Sequence, residues 1–186
     1  ILENGLKLKE VGGDVQVIPL ANADQLTLFL KKEIDAAWTV EPWVSVLVSQ
    51  GDGKIFFEES SLWPEGNYAT TLLLVRKKFL DAHPDIVKKF VTAHVQLTNW
   101  INQNPVEAKK VLNEEIKKET NKALPEKILD DAFGRIRFTH DPIELSVKKQ
   151  AESAYKAGFL KKEPDLSGLF DLKALNEVLE DKKSQA

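Results

Sequence analysis

The sequence predicts an α/β fold in which helices cover a mostly parallel sheet. Two observations carry this. Short runs rich in β-branched and aromatic residues alternate, at tight spacing, with segments whose apolar residues recur at helical period. Prolines stand where helices should begin, at Pro42, Pro84, Pro105, Pro125 and Pro142.

The elements follow in order. Residues 14–19, Asp-Val-Gln-Val-Ile-Pro, read as a strand ended by proline. Asn22 then caps a helix, with Gln25 three residues on in a variant of the capping box, and Leu26, Phe29 and Leu30 on one face. Residues 34–40, Ile-Asp-Ala-Ala-Trp-Thr-Val, are apolar enough for a buried strand. A helix is expected from Pro42 to Gln50, with Gly51 near its C-terminal cap. Residues 54–57 and 70–76 read as two further strands, separated by the turn-rich stretch 63–68. Beyond 76 the pattern is helical. A long amphipathic helix opens at Pro84, others start at Pro105, Pro125 and Pro142, and Asp171 caps a last short one. Residues 135–138 read as extended.

Composition bounds the function. Hydrophobic residues make up 42% and charged residues 30%, which excludes a disordered chain. The net charge is −3 and no basic stripe appears, which argues against nucleic acid as a partner. The absence of cysteine excludes a thiolate metal site and a cysteine nucleophile in these 186 residues. No apolar run approaches the roughly 20 residues of a membrane span. The chain opens on Ile1 and holds no methionine. With too few strands to close a sheet, it is expected to lack an N-terminal portion. A division is expected near 64–70, with an α/β part before it and one strand plus a helical cluster after it.

Three segments, in order, resemble a known family. Residues 34–43, Ile-Asp-Ala-Ala-Trp-Thr-Val-Glu-Pro-Trp, are similar to the segment IDAAxxxEPW of ABC-importer solute-binding proteins for nitrate, bicarbonate, taurine and alkanesulfonates. Residues 71–91 resemble that family's returning strand and the helix after it, and residues 157–160, Ala-Gly-Phe-Leu, a late turn. The resemblance implies a two-lobed, type II periplasmic-binding fold of Venus-flytrap form. Residues 1–63 would be the later part of lobe 2, 64–70 a hinge crossing, and 71–186 the returning part of lobe 1. It also implies capture of a small anion between lobes and delivery to a membrane permease. The location would be periplasmic or otherwise extracytoplasmic, by lipid anchor in some cases, with contact to the membrane only through the transporter or such an anchor. A monomer without cofactor is expected. The alternative is an enzyme on the same fold, of the thiamine-pyrimidine or desulfinase type.

The turn at Glu41, Pro42 and Trp43 is the leading site candidate. It lies where an expected strand feeds a helix N-terminus, whose free N–H groups and dipole favour an anion. Thr39 and the backbone of Val40 to Trp43 would make the contacts; the Glu41 carboxylate would repel an anion and can equally cap its own helix. Asn22 and Ala23 form the analogous helix start, for which a plain cap is the favoured reading. Asn67 and Tyr68 either line a hinge or form a simple turn. Trp38 and Trp63 can wall an organic solute or pack internally. His83, His94 and His140 are dispersed, without metal-ligand spacing.

Overall fold

The computed structural model describes residue 9 and residues 12–183. Among them are eight α-helices: α1 (Asn22–Leu30), α2 (Trp43–Gly51), α3 (Lys77–Ala82), α4 (Pro84–Gln103), α5 (Pro105–Thr120), α6 (Glu126–Arg135), α7 (Glu144–Lys156) and α8 (Lys173–Lys183). Two short 3₁₀ turns, Glu59–Leu62 and Pro64–Gly66, precede α3.

The expected α/β fold, and with it the two-lobed sheet architecture, is overturned: no sheet occurs among the described residues. Residues 16–20, 36–40, 54–57 and 70–76 run without regular structure, and only an isolated bridge forms at Val15, whose carbonyl accepts from Lys9 N–H at 2.8 Å. Their side chains show why. Val17 is 62% exposed, Phe56 89% and Leu74 79%. β-Propensity measures how well a residue fits a half-buried pleated surface, and here no neighbouring strand supplies that surface. Residues 136–138 are likewise outside any ladder.

The helices form where proline and apolar periodicity meet. Proline opens α4 and α5 at the first helical position, where its missing N–H costs nothing. At α2 the proline lies one residue earlier than expected, as the cap, and Trp43 begins the helix. Asn121 ends α5 in the left-handed region at φ 58°, a place asparagine tolerates. The Asn113 side chain then closes the following loop, accepting from Leu124 N–H at 2.8 Å and donating to Leu124 C=O at 2.9 Å. Asp171 accepts from Lys173 N–H at 3.1 Å and starts α8.

Contacts divide the chain into two units, Ile1–Lys54 with Glu126–Arg135, and Ile55–Pro125 with Ile136–Ala186. In the first, α2 packs against both α1 and α6. Val46 and Leu47 of α2 meet a seam that buries Ile128, Leu129 and Ala132 of α6. Complete burial of a side chain such as Ile128 contributes about 1.5–3 kcal/mol. The α1 face comes close at Gly51, where a Cβ would stand 3.1 Å from the Phe29 ring. In the second unit, α4 packs on α8, α5 and α3, and Val95, Thr98 and Val178 are buried. Residues 64–70 lie inside this unit. Their exit is pinned to α7, since Ala69 N–H donates to Ser146 Oγ at 3.0 Å and Gln150 Nε2 donates to Ala69 C=O at 2.9 Å. No helix among the described residues is long and apolar enough to cross a membrane.

Candidate functional site

The first unit holds six polar side chains around the start of α1 and the start of α2. The extended segment 36–40 brings Thr39 to Asn22, and its Oγ1 donates to Asn22 Oδ1 at 3.2 Å. Gln25, one turn into α1, donates from Nε2 to the same Asn22 oxygen at 3.2 Å. Asn22 and Thr39 are half-buried and Gln25 is buried. Asn22 is thus the first residue of α1 rather than its cap; Ala21 holds the cap position.

Two residues beyond Thr39, Glu41 organises the start of α2. Its Oε2 accepts from Ser45 N–H at 3.2 Å and from Ser45 Oγ at 2.8 Å, while Oε1 accepts from Arg135 Nε. Arg135 Nη2 also donates to Ser45 Oγ, at 2.9 Å. Ser45 is fully buried, and the Glu41 and Arg135 side chains are 7% and 27% exposed. The remaining early N–H groups have backbone acceptors: Trp43 and Val44 donate to Val40 C=O, and Val46 to Pro42 C=O. The Glu41 carboxylate therefore stands where a foreign anion would meet the helix N-terminus, and Arg135 balances its charge. The bonds of Arg135 use Nε and Nη2 and leave Nη1 outside them.

In the second unit, Asn67 Oδ1 accepts from Arg137 Nη1 at 2.7 Å. The Tyr68 ring lies 5.0 Å from that of Trp63, whose Nε1 donates to Glu59. Burial, and then the charge of Glu59, raise the Tyr68 hydroxyl above the usual tyrosine pKa of 10.0. An open apolar groove of about 730 Å³, lined by Leu73, Val75, Phe79, Phe90 and Ala174 among others, also belongs to this unit. His83 packs its ring 4.9 Å from Phe79. No group of three His, Cys, Asp or Glu suited to a metal occurs among the described residues.

The structure thus brings Asn22 and Thr39 together, and sets Val40, Glu41 and Trp43 in the turn beside them. Asn67 and Tyr68 lie in the other unit. Arg135 has no signal in the sequence. It lies 94 residues from Glu41 and reads as an ordinary cation in the last turn of an amphipathic helix. Gln25 has a local signal, its place three residues after Asn22, but that spacing speaks only of capping.

Comparison with known proteins supplies the family. The chain belongs to the NMT1-like family, whose model matches residues 1–114. It is 24% identical over 172 residues to a protein of Bacillus subtilis (strain 168) named as an aliphatic sulfonates-binding protein. That alignment covers 92% of this chain and 50% of the relative, so the chain spans about half the length of the curated protein it matches. No solved structure matches. The family stretch includes Asn22, Thr39, Glu41, Asn67 and Tyr68 but ends before Arg135.

Proposed function

We propose that this protein is a solute-binding component of an ABC importer, working outside the cytoplasm, which captures a small anion of the sulfonate or nitrate kind without chemically changing it. The observation that carries this reading is the family membership, joined to a sulfonates-binding relative aligned along 92% of the chain. The polar cluster of the first unit suits such a solute. Asn22 offers the N–H groups of an amide whose oxygen is held by the Thr39 hydroxyl and the Gln25 carboxamide, and Arg135 a guanidinium whose Nη1 edge lies outside its bonds to Glu41 and Ser45. An arginine presents N–H groups in a planar fork that matches the oxygens of a sulfonate or carboxylate. The Val40 to Trp43 turn holds these groups in register. In the second unit, Asn67, Arg137 and Tyr68 offer the same chemistry: an amide, a guanidinium and a phenol that stays protonated through neutral pH.

Calorimetric titration with ethanesulfonate, nitrate and bicarbonate tests the reading. Saturable binding of at least one is expected. Thr39→Val should weaken it with the fold intact, since the two side chains are nearly isosteric. Arg135→Gln should weaken it more, because it removes a charge-assisted contact worth about 1.5–3 kcal/mol. If none of the three anions binds, the proposal fails. If binding is unchanged in both variants, the first-unit cluster is not the site.

A further inference from the structure

The Gln25 carboxamide is the feature that the anion-binding reading leaves unexplained. Gln25 is 7% exposed, and its Oε1 is buried without a hydrogen-bond partner. A buried carbonyl with nothing to accept costs free energy that folding must offset, so such atoms call for an explanation. The oxygen belongs to the same carboxamide as the nitrogen that holds Asn22, so it lies close beside the Asn22 side chain, to which Thr39 is also bonded. Asn22 Oδ1 receives both the Gln25 amide and the Thr39 hydroxyl, which sets the Gln25 oxygen as the group left to be filled. Nothing else in the cluster needs an incoming donor. Thr39 has already spent its proton on Asn22, and Arg135 and Ser45 donate to oxygens already in place.

We propose that Gln25 is a specificity-determining residue, whose Oε1 accepts a hydrogen bond from a hydroxyl or N–H group carried by the solute next to its anionic end. This inference rests on the anion-binding reading and sharpens it from a bare oxyanion to an anion bearing a neighbouring donor. A site built to hydrogen-bond a substrate group discriminates strongly against an analogue without it, because the buried protein atom is then left unpaired. Asn22 and Thr39, which are bonded to each other, are half-exposed, and the buried Gln25 is bonded to Asn22.

The test compares three probes of nearly one size: 2-hydroxyethanesulfonate, 2-methoxyethanesulfonate and propanesulfonate. The first carries a donor, the second only an acceptor at the same place, the third neither. By calorimetry, the hydroxy compound should bind roughly tenfold more tightly than either of the others, the ratio expected from one neutral hydrogen bond. In Gln25→Met, which keeps length and volume but removes the carbonyl, the three affinities should converge, mainly through weaker binding of the hydroxy compound. Equal affinities in the unaltered protein would overturn the inference while leaving the binding function standing, and would mean that a buried water alone serves the Gln25 oxygen. A preference for the methoxy compound would overturn it as well. Failure of all three to bind would remove both this inference and the sulfonate reading beneath it. The comparison in the unaltered protein needs no variant, so a poorly folding Gln25→Met would not block the result.

Discussion

Glu41 shows how one carboxylate can decide the character of a site. Its oxygens cap α2 through Ser45 and hold Arg135 from α6, so a single side chain joins two helices of the first unit. Removing one partner of a buried charged network is costly because the others keep their desolvation penalty without compensation. Glu41→Ala should therefore lower stability by about 2–3 kcal/mol, and Ser45→Ala by about 1 kcal/mol. Urea unfolding followed by circular dichroism measures both; a Glu41→Ala loss under about 0.5 kcal/mol, the size of an ordinary surface change, would show that the network is slack. Tyr68 carries a pH prediction. Its folded pKa is raised, by burial first and by Glu59 second. Above pH 10 the unfolded phenol ionises while the folded one keeps its proton, so the folded state binds more protons and stability falls as pH rises. The contribution is complete below pH 10 and is lost as pH climbs through the folded pKa. Phenolate absorbance, read in a Tyr155→Phe background, should titrate above the normal tyrosine range. Glu59→Gln should bring it only part of the way back, since burial is the larger cause.

The helices were legible in the sequence and the extended segments were not, for one physical reason. A helix closes its hydrogen bonds within a few residues, so Pro84, Pro105, the apolar stripe of α4 and Asp171 announce it locally. A strand needs a partner far away in sequence, and the β-branched run at 70–76 says nothing about whether one is present. Here Leu73, Leu74 and Val75 are 53%, 79% and 45% exposed. The candidate site divides in the same way. The Thr39 turn and Asn22 were readable because each adjoins a helix start. Arg135 was not, because only the packing of α6 on α2 brings it to Glu41. A measurable consequence follows for residues 71–75, whose amide groups have no acceptor among the described residues. Their hydrogens should exchange close to the rate of an unstructured chain, while the Val95 and Thr98 amides inside α4 should be strongly protected. Protection of 71–75 comparable to that of α4 would mean that this segment pairs with a strand in solution.

For the whole molecule, solute binding and stability are one quantity. A ligand that binds only the folded state stabilises it by about 2.7 kcal/mol at a hundredfold excess over Kd. For a chain of 186 residues, each kcal/mol moves the melting temperature by about 2–4 °C. A bound sulfonate should therefore raise it by roughly 5–10 °C. The shift should follow the logarithm of concentration, as mass action requires. Its origin can be separated by salt. The Arg135 guanidinium is 27% exposed, so its share is partly screened as ionic strength rises, whereas the contacts of Asn22, Thr39 and Gln25 carry no charge on the protein side and are screened far less. Raising sodium chloride at a fixed sulfonate excess should thus shrink the shift without abolishing it. In Arg135→Gln the residual shift should be smaller and nearly independent of salt. A shift of the same size in sodium chloride alone, at matched ionic strength, would mean that the sulfonate acts as a bulk salt. A shift that vanishes entirely with salt would assign all of the recognition to charge and none to the amide and hydroxyl groups around Asn22.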